Sequence, residues 1–280
     1  MAISEQLSQL TTFLAHGSAA VKVAAFFLVW VFAWSPIAIP LAMALQWHPP
    51  KPLKVEQKLP LVLSLYALSP LVLWGAAWIE GIPFSAYGIA WKPSILISVV
   101  IGLCLGILGL LLLFGLENGL GWLDWQQENW NQVIRFLLPL LIVGLLVSVV
   151  EELVFRGFLL NQFQQDYLPG IAAVSSSLIF ALLHLVWEGR EALPQLPGLW
   201  LMGMVLVVAR WADGGNLGLA IGLHAGWIWG MASLDSAQLI RYTEHSPKWL
   251  TGLAGNPLAG GMSLLMLLAT GIVMWNFPNQ

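Results

Sequence analysis

Ser148–Leu160 reads SVVEELVFRGFLL, and it places two adjacent carboxylates and a guanidinium inside a run that is otherwise almost wholly apolar. A charged side chain at the centre of a bilayer costs roughly 2.5–3.5 kcal/mol on insertion scales. A chain keeps one there only beside a partner, in an aqueous cavity or for a function. No Pro or Gly interrupts Leu145 to Arg156, so this stretch is expected to be α-helical. Glu152 and Arg156 then share one face, four residues apart, with the carboxylate N-terminal to the cation, which is the favourable order. Glu151 points about 100° away around the helix, so Arg156 cannot serve both acids. A lone carboxyl in a dry site is poised to act as an acid or a base.

The surroundings explain why these charges count. The 280 residues are 59% hydrophobic and 9% charged, whereas a soluble domain carries about 25% charged residues. Together with a mean hydropathy of +0.81 and repeated apolar runs of about 20 residues, this indicates an all-α, polytopic membrane protein in contact with the lipid bilayer. A formal charge of −3 gives no electrostatic footprint for nucleic acid. The single cysteine, Cys104, excludes an intrachain disulfide. Many of the 16 Trp residues lie near the ends of apolar runs. Trp47, Trp78, Trp91 and Trp187 suit an aromatic belt at the membrane interfaces.

About eight spans are expected, at Val23–Leu45, Leu59–Ile79, Ile95–Leu116, Phe136–Phe163, Ile171–Trp187, Leu199–Trp211, Leu217–Met231 and Gly261–Phe277. The first is too long for the apolar core of a signal peptide, and Pro36 and Pro40 predict a kink in it. In the seventh, Gly218, Gly222 and Gly226 recur every four residues, which predicts close packing against another helix. Glu117–Gln132 is polar and Trp-rich, and reads as an interfacial loop or short surface helix. The basic residues favour the Lys51–Lys58 loop as cytoplasmic, with both termini outside. No internal repeat is visible, so residues 1–280 read as one helical membrane domain.

Two further ionisable groups sit in later apolar runs: His184 in SSSLIFALLHLVW and His224 in NLGLAIGLHAGWIWG. One His in an apolar helix is ordinarily structural; two, with an unpaired Glu on a third helix, point to a shared site. Two chemistries are open. Glu151 and a His could polarise a water for attack on a carbonyl while the other His donates to the oxyanion. Alternatively, the two His and a Glu could ligate zinc. The H-E-x-x-H signature and any Cys-based metal pattern are absent, and so is a G-x-S-x-G elbow. Phe180, one turn before His184, reads as core. Trp227 and Trp229 flank Ile228 and read as packing residues.

Three short motifs, in order, resemble a known family. EELVFRG (Glu151–Gly157) is similar to the EExxxR motif of the CAAX-processing and bacteriocin-processing (CPBP) intramembrane proteases, also called the Abi family. FALLH (Phe180–His184) matches its FxxxH motif, and HAGWI (His224–Ile228) falls where the family has HxxxN. The resemblance covers about 135–231. It implies an intramembrane glutamic endopeptidase without a cofactor or metal, in which Glu151 and His184 activate water. Glu152 and Arg156 would hold that arrangement in place, and His224 would be the oxyanion-side histidine. Ile228 departs from the pattern by standing where the family usually has Asn.

The expected function is therefore cleavage of a peptide or protein substrate at or within the membrane, by a multi-pass protein of the cell membrane. The alternative is a non-catalytic immunity or partner-binding protein that retains the protease fold. A proton-coupled transporter suits one buried carboxyl, but the sequence lacks paired, Gly/Pro-broken helices in corresponding halves.

Overall fold

The computed structural model describes residues 2–48, 51, 53–90 and 92–277; Trp91 of the expected aromatic belt lies outside them. Helix α1 (Ala2–His16), which the sequence reading left unassigned, precedes the long apolar helices α2 (Ala19–Ala44), α3 (Val55–Glu80) and α4 (Pro93–Gly119). Then come α5 (Trp130–Glu152), a π-helical segment (Leu153–Leu159) and α6 (Leu160–Asp166), which continue one into the next. Helices α7 (Pro169–Glu188) and α8 (Leu196–Ala212) are joined by a 3-10 turn at Gly189–Gln195. Helix α9 (Gly218–Ser236), the short α10 (Lys248–Thr251) and α11 (Gly261–Trp275) complete the bundle.

Each of the eight apolar runs is helical. Among the described residues, five segments are long and apolar enough to cross a membrane: Ala19–Ala44, Glu56–Glu80, Pro93–Gly119, Gln127–Asp166 and Pro169–Ala212. The fifth of these joins two expected spans, and α11 is a shorter apolar helix. The all-α membrane class stands, while the number of spans stays an expectation. Large apolar side chains such as Phe32, Trp78, Leu112 and Ile134 face outward, as a lipid environment allows and water would penalise.

Helix α2 runs unbroken through Pro36 and Pro40. The polar stretch after α4 contains a strand, β1 (Leu123–Trp125), followed by a short 3-10 helix at Gln127–Asn129. It pairs antiparallel with β2 (Ile240–Tyr242) after α9. A three-residue strand with its partner more than a hundred residues away leaves no periodic signal to read.

One expectation changes at the site. The run after Glu152 is π-helical rather than α-helical. A π turn widens the backbone and exposes carbonyls that an α-helix would occupy. Here side chains from other helices take them: Ser176 Oγ donates to the Phe155 carbonyl at 2.7 Å, and the Arg210 guanidinium donates to the Arg156 carbonyl. Gly157 lies so close to the loop after α3 that an added Cβ would stand 2.9 Å from the Tyr87 carbonyl oxygen.

The α4–α9 crossing fixes the position of His224. The predicted glycine stripe forms this contact, backbone against backbone. A Cβ on Gly222 would lie 2.1 Å from the Val99 carbonyl oxygen, and one on Gly226 would lie 2.7 Å from that of Leu103. Gly102 and Gly106 on α4 answer them from the other side. Asp213 holds the start of α9, accepting from Ser98 Oγ at 2.8 Å and from the Leu219 N–H at 3.1 Å. Burial raises the Asp213 pKa, and these hydrogen bonds partly oppose the rise.

Gly222→Ala should lower the melting temperature in detergent, because overpacking costs typically 1–3 kcal/mol and the obstacle is backbone. Gly115→Ala, on the same α4 but with nothing within 4 Å of the new Cβ, should be neutral or stabilise by up to about 1 kcal/mol. Parallel melting curves of the two variants check the contrast; equal curves would refute the close crossing.

Candidate active site

Five chain segments bring their polar groups to one interior point. Glu152 ends α5 and is completely buried. Its Oε1 accepts from Arg156 Nη1 at 3.0 Å and from His224 Nδ1 at 2.8 Å. The expected ion pair is therefore present, but it is one half of a three-membered arrangement. A carboxylate oxygen only accepts, so the proton on this His224 nitrogen is assigned by its partner. That leaves Nε2 as the face His224 presents beyond Glu152.

That face meets the second carboxylate: His224 Nε2 is 3.7 Å from Glu151 Oε2. Glu151 is not the lone acid that the helix geometry suggested. The phenol of Tyr66, from the middle of α3, donates to its other oxygen, Oε1. Among the described residues, Arg156 forms its ion pair with Glu152. Sequence reasoning missed Tyr66 because a phenol in an apolar helix looks like any other aromatic. Its only sequence signal is a polar tip far from the helix ends.

Phe180 is core, as expected, and also the platform of the site. Its ring lies 4.4 Å from Arg156 Cζ, a desolvated cation–π contact of the kind worth about 2 kcal/mol. It packs edge-on against His184, centroids 4.8 Å apart, and against His224, centroids 5.9 Å apart. His184 Nδ1 lies 2.9 Å from the Phe180 carbonyl oxygen. A carbonyl cannot donate, so Nδ1 carries the proton and the neutral ring keeps Nε2 as an acceptor. Among the described residues, Glu151 and His184 make no direct hydrogen bond.

Glu151, His184, His224 and Tyr66 all line one cavity of about 1120 Å³. The side chains that wall it are mostly apolar, and they come from α2 as well as from the helices that bear the site. At its rim Lys58 and Glu188 form an ion pair at 3.5 Å. Two of the expected belt residues, Trp47 and Trp187, also line it, Trp187 edge-on to Trp34. Ile228 presents hydrocarbon to the cavity. Trp229 donates its indole N–H to the Leu137 carbonyl at 2.8 Å, and the buried indole N–H of Trp227 has no partner among the described residues. No three His, Cys, Asp or Glu side chains among the described residues are disposed to hold a metal ion.

Glu152→Gln should lower the melting temperature sharply. It leaves Arg156 without a counter-charge, and removing one member of a buried pair costs about 3–5 kcal/mol. A melting profile in detergent that matches the unaltered protein would show that Glu152 does not hold this centre together.

Residues 133–230 match the family model "Rce1-like", described as Type II CAAX prenyl endopeptidase Rce1-like. Two curated proteins are similar over part of their length. NADH-quinone oxidoreductase subunit 8 of Thermus thermophilus is 30% identical over 127 residues, 44% of this chain and 34% of that protein. An uncharacterized 24.3 kDa protein of Escherichia coli is 34% identical over 90 residues, 31% of this chain and 40% of that protein. The matches thus span between a third and two fifths of those relatives. No solved structure matches the chain. The matched region contains all three short motifs, so residues 133–230 of this chain are similar to the Rce1-like family model where those motifs lie.

Proposed function

We propose that this protein is a glutamic endopeptidase of the cell membrane that cleaves a peptide at or within the bilayer. The observation that carries the reading is the convergence of Glu151, His184 and His224 on one apolar-walled cavity. Burial of three such groups side by side is costly unless they act together.

In this reading a water enters between Glu151 and the acceptor nitrogen of His184. Glu151 takes its proton as the oxygen attacks the scissile carbonyl carbon. In this reading His224 acts as the imidazolium: its Nδ1–H stays on Glu152 and its Nε2–H donates to the oxygen on which negative charge develops. When the tetrahedral intermediate collapses, the C–N bond breaks and the proton on Glu151 passes to the leaving amine. Glu152 and Arg156 position His224 and the π turn without touching substrate. The Rce1-like match supports a prenylated CAAX peptide as the first substrate to try.

A second reading, a binding protein that keeps the fold, has Ile228 in its favour, because a hydrocarbon there supplies no oxyanion donor. The two part on one measurement. Purified protein is incubated with a farnesylated CAAX reporter peptide and compared with Glu151→Gln. Loss of a general base lowers the rate by about 10²–10⁴-fold, so the variant should show almost no product. No product from either form would favour binding without cleavage, and equal product from both would remove Glu151 from the role of general base.

A further inference from the structure

The donor that Ile228 cannot supply has a candidate on α3, outside the matched segment. Tyr66 and His224 approach the two oxygens of the same carboxylate: the phenol lies on Glu151 Oε1, and the imidazole faces Oε2 at 3.7 Å. Both side chains line the cavity. A carbonyl placed for attack by a water on Glu151 must set its oxygen within a few ångströms of that carboxyl group, and so beside both donors. The phenol is well supported there. Its ring packs near Trp30, centroids 6.5 Å apart, and the Trp30 indole N–H donates to the Leu65 carbonyl next to it at 2.9 Å.

We propose that Tyr66 is a catalytic residue of this site, the second hydrogen-bond donor to the oxyanion. The proposal rests on the proteolytic reading above. In the resting site the phenol donates to the Glu151 carboxylate. As Glu151 takes the proton from water it becomes a neutral acid and a poorer acceptor. Negative charge appears at the same moment on the substrate oxygen. The phenol hydrogen bond follows the charge from one oxygen to the other, and Tyr66 keeps its proton throughout. No bond to Tyr66 forms or breaks, and the proton that Glu151 gained still leaves with the amine. A donor that already faces the site needs no further ordering when charge develops, which is what makes such groups effective.

The test uses the full-length protein in detergent with the farnesylated reporter peptide. Tyr66→Phe removes only the donor oxygen. It should lower kcat by about 10²–10³-fold, the effect of losing one oxyanion donor, with KM little changed. Ile228→Asn then adds an amide donor one turn beyond His224. In the Tyr66→Phe background it should recover about 10-fold or more of the loss. If Tyr66→Phe does not survive purification, a ring-fluorinated tyrosine at 66 replaces it, and kcat should vary with the acidity of the phenol. Unchanged kcat in Tyr66→Phe overturns the proposal. So does a loss that Ile228→Asn fails to relieve, which would assign Tyr66 to holding Glu151 in place. Both outcomes leave the proteolytic reading intact. Absence of cleavage by the unaltered protein overturns that reading and this proposal with it.

Discussion

A carboxylate sealed away from water needs donors, and the rest of this structure is arranged around the two that reach Glu152 on Oε1, its Oε2 having no partner among the described residues. Its one oxygen draws in a guanidinium from the next turn of its own segment and an imidazole from α9. Neither partner could be held by packing alone. Arg156 needs the Phe180 ring over its guanidinium, and its backbone carbonyl needs Arg210 from α8. His224 needs α9 at a fixed height, and the glycine crossing with α4 sets that height. The buried charge therefore ties α5, α7, α8 and α9 into one unit. The attraction within such a group does not by itself guarantee stability, because desolvation opposes it. What it provides is a single permitted arrangement.

The chemistry follows from the same constraint. Because Glu152 occupies one nitrogen of His224, the other is available to whatever lies next to it, and that is Glu151. Because Phe180 offers its carbonyl to His184, the free nitrogen of that ring is an acceptor. The two histidines thus differ in their neighbours, one facing an acid and one a backbone carbonyl. Ordinary packing also contributes, since Phe180 touches both rings.

Much of this could be read from the sequence where the controlling interactions were local. The Glu152–Arg156 pair follows from helical spacing, and the glycine stripe follows from its period. The two histidines stood out because imidazoles are conspicuous in apolar helices. The failures came where distant residues decided the outcome. The π turn depends on Ser176, Arg210 and Tyr87, which are separated from it in the chain and carry no mark of that duty. Glu151 looked unpaired because its partner, Tyr66, is 85 residues away. Phe180 was recognised as core but not as the surface on which the cation and both imidazoles rest. The β1–β2 pairing had no pattern long enough to detect.

The cavity is walled partly by α2 and α3, which precede the matched segment, and Tyr66 belongs to that outer part. The residues from 133 to 230 therefore do not form a self-sufficient module. Grafted onto the preceding helices of another protein, they would carry Glu151, His184 and His224 intact and still lack the phenol on Glu151 and much of the cavity wall. Descent of the site must be reckoned over both halves of the chain: a change at position 66 or along α2 alters what the later motifs can do, although the motifs themselves read the same.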